Sequence, residues 1–184
     1  MGKLIGLLLC LSPLALANTI EPYNENGAYI NLNSGISTFS NLPTGEWTGN
    51  FNAGYNFNRA FAVEGGYNIF TGSQFGATVT TNIFDVAVKG TIPLSSIFNL
   101  YGRTGLGLGM NGWSGTVIEA PNTNCILCNN GANSTYGLGL VGIGGSFTLS
   151  RHFDLRLEDT AYLPFSNTYT GTINAVTVGG QYNF

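Results

Sequence analysis

Charge is scarce in this chain. Lys, Arg, Asp and Glu together make up 8% of its 184 residues, against about 25% in an ordinary soluble domain. The six Lys and Arg are scattered along the sequence and the formal net charge is −3, which leaves no basic footprint for a nucleic-acid partner. Long apolar runs are missing too. No stretch reaches the roughly 20 residues that a membrane-spanning helix needs. A chain this poor in charge and without a helical span points to a lipid-facing sheet. Histidine occurs once, at His152, and cysteine three times, so a metal cluster or a His-based catalytic centre has little to draw on. Only six residues are Pro, whereas 27 are Gly and 12% are aromatic. That balance suits strands, tight turns and interfacial aromatic belts.

The amino terminus reads as a secretory signal over residues 1–17. Lys3 supplies the positive start, Leu4 to Leu11 the apolar core and Ala15-Leu16-Ala17 the small-x-small cleavage pattern. Residues 18–184 then form one domain. Lipidation at Cys10 is disfavoured, because Leu7-Leu8-Leu9 lacks the small residue expected just before a lipidated Cys.

The carboxyl terminus is the most informative stretch. Phe184, Tyr182, Gly180, Val178 and Val176 share one parity, while Asn183, Gln181, Gly179, Thr177 and Ala175 take the other. This is the two-residue period of a strand with one apolar and one polar face. The strand ends on an aromatic residue with no charged tail, and so resembles the last strand of a bacterial outer-membrane β-barrel. The resemblance implies that Val176, Val178, Gly180, Tyr182 and Phe184 form the signal read by the barrel-assembly machinery.

Eight strand-length segments follow one another from Gly27: Gly27–Ser37, Trp47–Phe57, Ala60–Phe70, Val79–Leu94, Phe98–Trp113, Thr135–Leu149, Phe153–Leu163 and Thr172–Phe184. Eight is an even number, as closure of such an antiparallel barrel requires. Short connections (58–59, 95–97, 150–152) alternate with longer ones (38–46, 71–78, 114–134, 164–171). The expected fold is all-β: an eight-stranded antiparallel up-and-down transmembrane barrel. With both termini periplasmic, its short turns are periplasmic and its long loops extracellular.

Parity then separates lipid from lumen. Phe61, Val63, Gly65 and Tyr67 take one side of the third segment and put Glu64 on the other. Phe84, Val86 and Val88 leave Asp85 and Lys89 inside; Leu100, Leu106, Leu108 and Met110 leave Tyr101 and Arg103 inside. In the seventh segment Phe153, Leu155, Leu157, Ala161 and Leu163 face out, and Asp154, Arg156 and Glu158 face in. Asp159 falls on the lipid side, a place tolerable only near an interface or beside a bulge. The sixth segment, with Gly137, Gly139, Gly142, Gly144 and Gly145, shows no clean parity and is expected to hold a bulge or an irregular register. Glu64, Asp85, Lys89, Arg103, Asp154, Arg156 and Glu158 thus enter a bore only wide enough for its side chains to fill, where charges persist if paired. They read as a salt-bridge plug or, if pairs exchange partners, as a gate.

At these residues the chain resembles the OmpA-like transmembrane domain. The runs Val63-Glu64-Gly65-Gly66-Tyr67, Leu100-Tyr101-Gly102-Arg103-Thr104-Gly105 and Arg156-Leu157-Glu158 are similar to family strands that carry an inward Glu, an inward Arg and a second inward Glu. The resemblance implies that Glu64, Lys89, Arg103 and Glu158 are members of a lumenal ion-pair network. The eighth segment holds no Arg or Lys, which departs from the family's two-base exchange. The implied partners are outer-membrane lipid and lipopolysaccharide, the assembly machinery with periplasmic chaperones, and an extracellular or host ligand at the loops.

Cys125 and Cys128 have the spacing of a redox or zinc pair, but a zinc site needs two further ligands and a redox site a βαβ setting. A local loop disulfide is the simpler expectation in an oxidising compartment. No metal, cofactor or catalytic residue is expected. A lipid hydrolase needs Ser, His and an acid together near the outer rim, and His152 falls in a periplasmic turn. The expected function is a structural, surface-exposed membrane anchor with contact-making loops. Alternatives are a narrow porin-like pore gated by lumenal ion pairs, and an adhesin or ligand binder acting through loop 114–134.

Overall fold

The computed structural model describes residues 26–41, 46–74, 77–114, 134–168 and 170–184. The signal segment 1–17, the Cys125 and Cys128 pair and almost all of loop 114–134 lie outside them. Eight strands account for the regular structure of the described residues: β1 (Gly27–Phe39), β2 (Glu46–Asn56), β3 (Phe61–Gln74), β4 (Ala77–Pro93), β5 (Phe98–Ser114), β6 (Ser134–Ser150), β7 (Phe153–Pro164) and β8 (Ile173–Asn183). Each pairs antiparallel with its sequence neighbours, and β8 returns to β1, closing the barrel. Closure leaves no lipid-exposed sheet edge within the ring.

Following paired residues once round, from Ala28 through Tyr55, Val63, Val88, Thr104, Val141, Ala161 and Asn174, the path returns to β1 at Thr38. That offset of ten residues, taken with the spacing of eight strands, tilts the strands by about 40° from the barrel axis. The bore is correspondingly narrow.

Alternation drives the local structure. In β1, Ile30, Leu32 and Ile36 are exposed while Tyr29, Asn31, Asn33 and Ser37 are buried. The side-chain assignments made above for β3, β4, β5 and β7 match the burial pattern: Leu106 is 66% exposed on the outer wall, whereas Arg103 is 2% exposed inside. Aromatic side chains belt the outer wall at the short-turn end, with Phe57 packed between Tyr55 and Phe61, Phe98 against Phe147, and Tyr182 against Phe184. Such a belt suits an interface where one side of a ring meets hydrocarbon and the other headgroups.

Three sequence expectations need correction or narrowing. Residues 71–74 and 77–78 are ladder rather than loop, because β3 and β4 stay paired to Gln74↔Ala77. Thr and Gly there suggest a turn, yet β-branched Thr suits a strand equally well. The bulge or irregular register expected in β6 is present, but only at one end, between Thr148 and Ser150 against β7, while its glycines pair in regular register with β5. Finally, Asp159 lies in mid-strand on the outer face, directly opposite Ile143 and Val176, far from that bulge. Among the described residues its carboxylate has no partner.

At the long-loop end the wall is uneven. Pairing of β2 with β3 stops at Thr48↔Phe70 and pairing of β6 with β7 stops at Leu138↔Pro164; Thr71 Oγ1 still donates to Trp47 O at 2.9 Å and Phe165 N to Gly137 O at 3.0 Å, so residues 72–74 and 134–136 run on without those neighbours. The β3–β6 side therefore stands about three residues, roughly 10 Å along the strands, above those neighbours. On the lower side, Gly171 (φ +64°) takes the left-handed turn that brings Thr172 beside β1, where Ser40 N donates to Thr172 O at 2.9 Å and Thr172 N donates to Ser40 Oγ at 3.0 Å.

Candidate functional site: a lumen closed in two layers

The lumen is filled by inward side chains of every strand, and its composition changes along the axis. The half nearer the short turns holds the ions. Lys89 on β4 stands directly opposite Arg103 on β5, a like-charged cross-strand pair that repels unless an anion intervenes. Glu64 of β3 supplies it. Its Oε1 lies 3.1 Å from Lys89 Nζ and 3.0 Å from Arg156 Nη1 and accepts from Tyr29 OH at 2.7 Å, while its Oε2 is 3.7 Å from Arg103 Nη1. Glu158 forms the second anionic node, taking Arg103 Nη1 at 3.0 Å, Arg156 Nη2 at 2.8 Å, Tyr101 OH at 2.9 Å and Thr160 Oγ1 at 2.8 Å. Asp85 is the third: it receives Arg103 Nη2 at 3.0 Å and Asn68 Nδ2 at 2.6 Å. Three acids meet three bases. All six residues are at most 5% exposed.

This stoichiometry matters because a buried charge left alone is costly while a paired, hydrogen-bonded one is tolerated. Arg156 shows how fully the donors are used. Its Nε donates to Tyr101 OH at 3.1 Å, and Nη1 also reaches Gln181 Oε1 at 3.1 Å. The Lys89 ammonium lies 4.2 Å from the centroid of the Tyr29 ring, a cation–π contact. Gly54 and Gly144 make room for Tyr29 and Tyr101, since a Cβ at either position would run into the facing phenol.

Of the seven ionisable residues assigned to the lumen, six meet in this cluster. Asp154 does not join it. It points into the same bore but at the short-turn mouth, where its Oδ2 accepts from Asn183 Nδ2 at 2.8 Å. Parity fixes the side of the wall a residue faces, whereas its depth depends on the register between strands. Val176, Val178, Gly180 and Tyr182 share the outer face of β8, and Phe184 is exposed just past its end.

Several members were not foreseen. Tyr29 and Gln181 join Tyr101, already assigned to the lumen, in capping the charges, and Asn68 links Asp85 to Tyr162, whose hydroxyl donates to Asn68 Oδ1 at 3.0 Å. Beside them Asn33 Nδ2 donates to Asn50 Oδ1 at 2.6 Å and Asn52 Nδ2 to Asn31 Oδ1 at 2.8 Å. The inward parity of polar residues in β1 and β2 was the available signal. The half nearer the long loops is different again: Phe39, Phe70, Ile83, Leu138, Leu140, Tyr162 and Ile173 pack into one buried apolar cluster. Phe70 and Tyr162 meet edge to face at 5.1 Å.

Chemically, this arrangement can hold the wall rigid and exclude water. Among the described residues no group of three or more His, Cys, Asp or Glu is placed to hold a metal. His152 lies in the β6–β7 turn, with Nδ1 2.9 Å from the Asn183 carbonyl oxygen and its ring stacked on Tyr182.

Solved barrels resemble this one in fold. Neisserial surface protein A matches with a TM-score of 0.70 at 13% identity, covering 86% of this chain and 97% of its own. Ail, the attachment invasion locus protein of Yersinia pestis, solved in complex with the heparin analogue sucrose octasulfate, matches at 0.59 and 15%, covering 88% and 100%. The N-terminal β-barrel domain of Pseudomonas aeruginosa OprF matches at 0.56 and 11%, covering 86% and 99%. No curated protein matches the chain in sequence. Residues 5–184 match the outer membrane protein beta-barrel domain family; the chain belongs to that family and is an integral β-barrel of the bacterial outer membrane.

Proposed function

We propose that the protein is a closed outer-membrane anchor that presents its long loops at the cell surface, with both termini and the short turns in the periplasm. The observation that carries this reading is the lumen, shut by an ion-paired layer towards the short turns and an apolar layer towards the long loops. A water-filled path would have to breach both. The pore reading is therefore the weaker one. An enzymatic role is weaker still, because the His152 ring is engaged at the turn by the Asn183 carbonyl and Tyr182. Lipid contacts the apolar outer wall, and β8 with Phe184 serves as the assembly signal.

An adhesin-like role fits the raised β3–β6 wall, where β5 ends at Ser114 and β6 begins at Ser134, with the strand ends at 72–74 lacking a β2 partner and those at 134–136 a β7 partner. The sulfated ligand of Ail does not transfer, however. A polyanion is held by cations, and the Lys and Arg of this chain stand at positions 3, 59, 89, 103, 151 and 156, none in a long loop. A neutral or cationic ligand suits this end.

The orientation is tested by epitope placement. An epitope inserted after residue 120 is expected to bind antibody on intact cells, and one placed just ahead of Gly27 only after the outer membrane is permeabilised. The opposite pattern would overturn the reading. Phe184→Ser is expected to leave secretion intact and to lower the yield of heat-modifiable, folded barrel; an unchanged yield removes the assembly role of β8.

A further inference from the structure

Polar side chains on the outer wall divide into two kinds. Ser34, Asn82 and Thr104 face out but are satisfied by the wall itself: Ser34 Oγ accepts from Trp47 Nε1 at 2.8 Å and donates to Thr48 O at 3.3 Å, Asn82 Oδ1 accepts from Tyr67 OH at 2.8 Å, and Thr104 Oγ1 donates to Leu140 O at 3.1 Å. Asp159 on β7 and Asn174 on β8 also face out and are exposed. Among the described residues neither side chain has a partner. An ionisable group at membrane depth is rare and ordinarily pairs with something.

The ladder fixes where these two stand. With about 3.3 Å per residue, about 4.8 Å between strands and a tilt of about 40°, Asp159 lies roughly 14 Å above the level of Ala28 and the aromatic belt, near the middle of an apolar band about 25 Å tall. Asn174 pairs with Ala161, two residues further up β7 than Asp159. The climb along β7 shifts position about 4 Å one way around the circumference and the step across to β8 about 4 Å the other way, so Asn174 sits almost directly above Asp159, by roughly 8 Å. Ala161 and Val176 flank the line between them. Among the described residues no Lys or Arg shares this wall, since Lys89, Arg103 and Arg156 are buried in the lumen and Arg59 and Arg151 stand in the short turns.

We propose that this face is a self-association surface, on which two copies of the chain lie side by side in the outer membrane about a twofold axis along the membrane normal. Such an axis brings the same patch of both copies together at equal depth. Because Asp159 and Asn174 share one line parallel to it, a single axis matches both. Asp159 meets its counterpart, the two carboxyls sharing protons so that each hydroxyl donates to the other's carbonyl, and Asn174 meets its counterpart amide to amide one level higher. Close packing and hydrogen bonds, rather than the hydrophobic effect, hold transmembrane segments together in lipid, and the short side chain of Ala161 permits the approach. A single barrel bears Asp159 as a cost, which pairing removes.

The test is disulfide trapping between refolded barrels in phosphatidylcholine vesicles at low lipid-to-protein ratio, in a background of Cys10→Ser, Cys125→Ser and Cys128→Ser. The same axis sets Ala161 of one copy near Val176 of the other. A mixture of Ala161→Cys and Val176→Cys barrels is therefore expected to yield several times more covalent dimer than either alone, or than Val86→Cys on the far wall. Adding Asp159→Leu to both is expected to lower that yield by about tenfold, the scale of a polar contact between transmembrane segments, while Asp159→Asn, whose amide makes the same contacts, keeps it. Heat-modifiability shows that each variant is folded. Trapping in the mixture no greater than in Val86→Cys overturns the proposal, as does trapping unchanged by Asp159→Leu or lost in Asp159→Asn. A high lipid-to-protein ratio separates the copies; there Asp159→Leu removes a cost rather than a contact, and the stability of the single barrel is read.

Discussion

The two halves of the lumen close the same bore by opposite means. Towards the short turns Glu64, Asp85 and Glu158 neutralise Lys89, Arg103 and Arg156; towards the long loops Phe39, Phe70, Ile83, Leu138, Leu140 and Ile173 pack as in the interior of a soluble protein. Burial of apolar groups is non-directional and tolerates repacking, whereas a buried ion pair works only when every partner is in place. The charged half therefore specifies one register of strands, and the apolar half supplies a seal that does not depend on any single contact. The difference between them can be broken at either end.

The largest effect is expected in the charged half. Glu64→Ala leaves Lys89 without its carboxylate and Arg156 with only one of its two, and is expected to destabilise the barrel by about 3–5 kcal/mol. Arg103→Ala strips both Asp85 and Glu158 of a partner, with a similar cost. Since Glu64 and Arg103 belong to one network, the double variant is expected to lose less than the sum, measured by urea unfolding in lipid vesicles. Strict additivity would show that the two do not share it.

In the apolar half Leu138→Ala is expected to cost about 2–5 kcal/mol through lost transfer and a residual cavity. A second change there, such as Ile83→Ala, is expected to add to it more nearly than the two charged changes do. If the apolar pair proved the more strongly coupled, the contrast between the halves would fail.

The outer wall sharpens the comparison. Leu106→Arg places a cation on the exposed mid-wall of β5 and is expected to cost about 2–4 kcal/mol in vesicles. Wild-type stability would mean that the inward and outward faces of β5 are misassigned. Smallest is the effect at Asp159, which stands between Ile143 and Val176 with no partner among the described residues. Asp159→Leu is expected to stabilise the barrel by roughly 1 kcal/mol, since acids cost less than bases on the lipid face. A loss of stability instead would show that the carboxylate has a partner in the membrane.

The fold was legible because the outer wall imposes a strict period of two, broken by turns at regular intervals. The charged half was legible for a related reason: Glu64, Lys89, Arg103 and Glu158 are rare ionisable residues at inward parity, and a bore of eight strands brings inward residues together. The apolar half was hidden. In β6, Leu138 and Leu140 face in while Val141 and Ile143 face out, so both parities are apolar and glycine occupies much of the remainder. Amphipathic alternation, the signal that reveals a strand's inner face, disappears where the lumen itself is dry. Depth was hidden too. Asp154 and Arg156 share parity, yet only Arg156 reaches Glu64, because the pairings of Asp154 with Thr148 and Gln181 hold it at the mouth.

Two unlike seals in series are the central claim, and planar-bilayer recording of the refolded barrel tests it most directly. The expected result is a silent bilayer for the wild type, for Glu64→Ala and for Leu138→Ala, because each single change leaves the other layer shut. Steady single-channel current from the wild type, or from Glu64→Ala with Leu138 intact, would contradict the account.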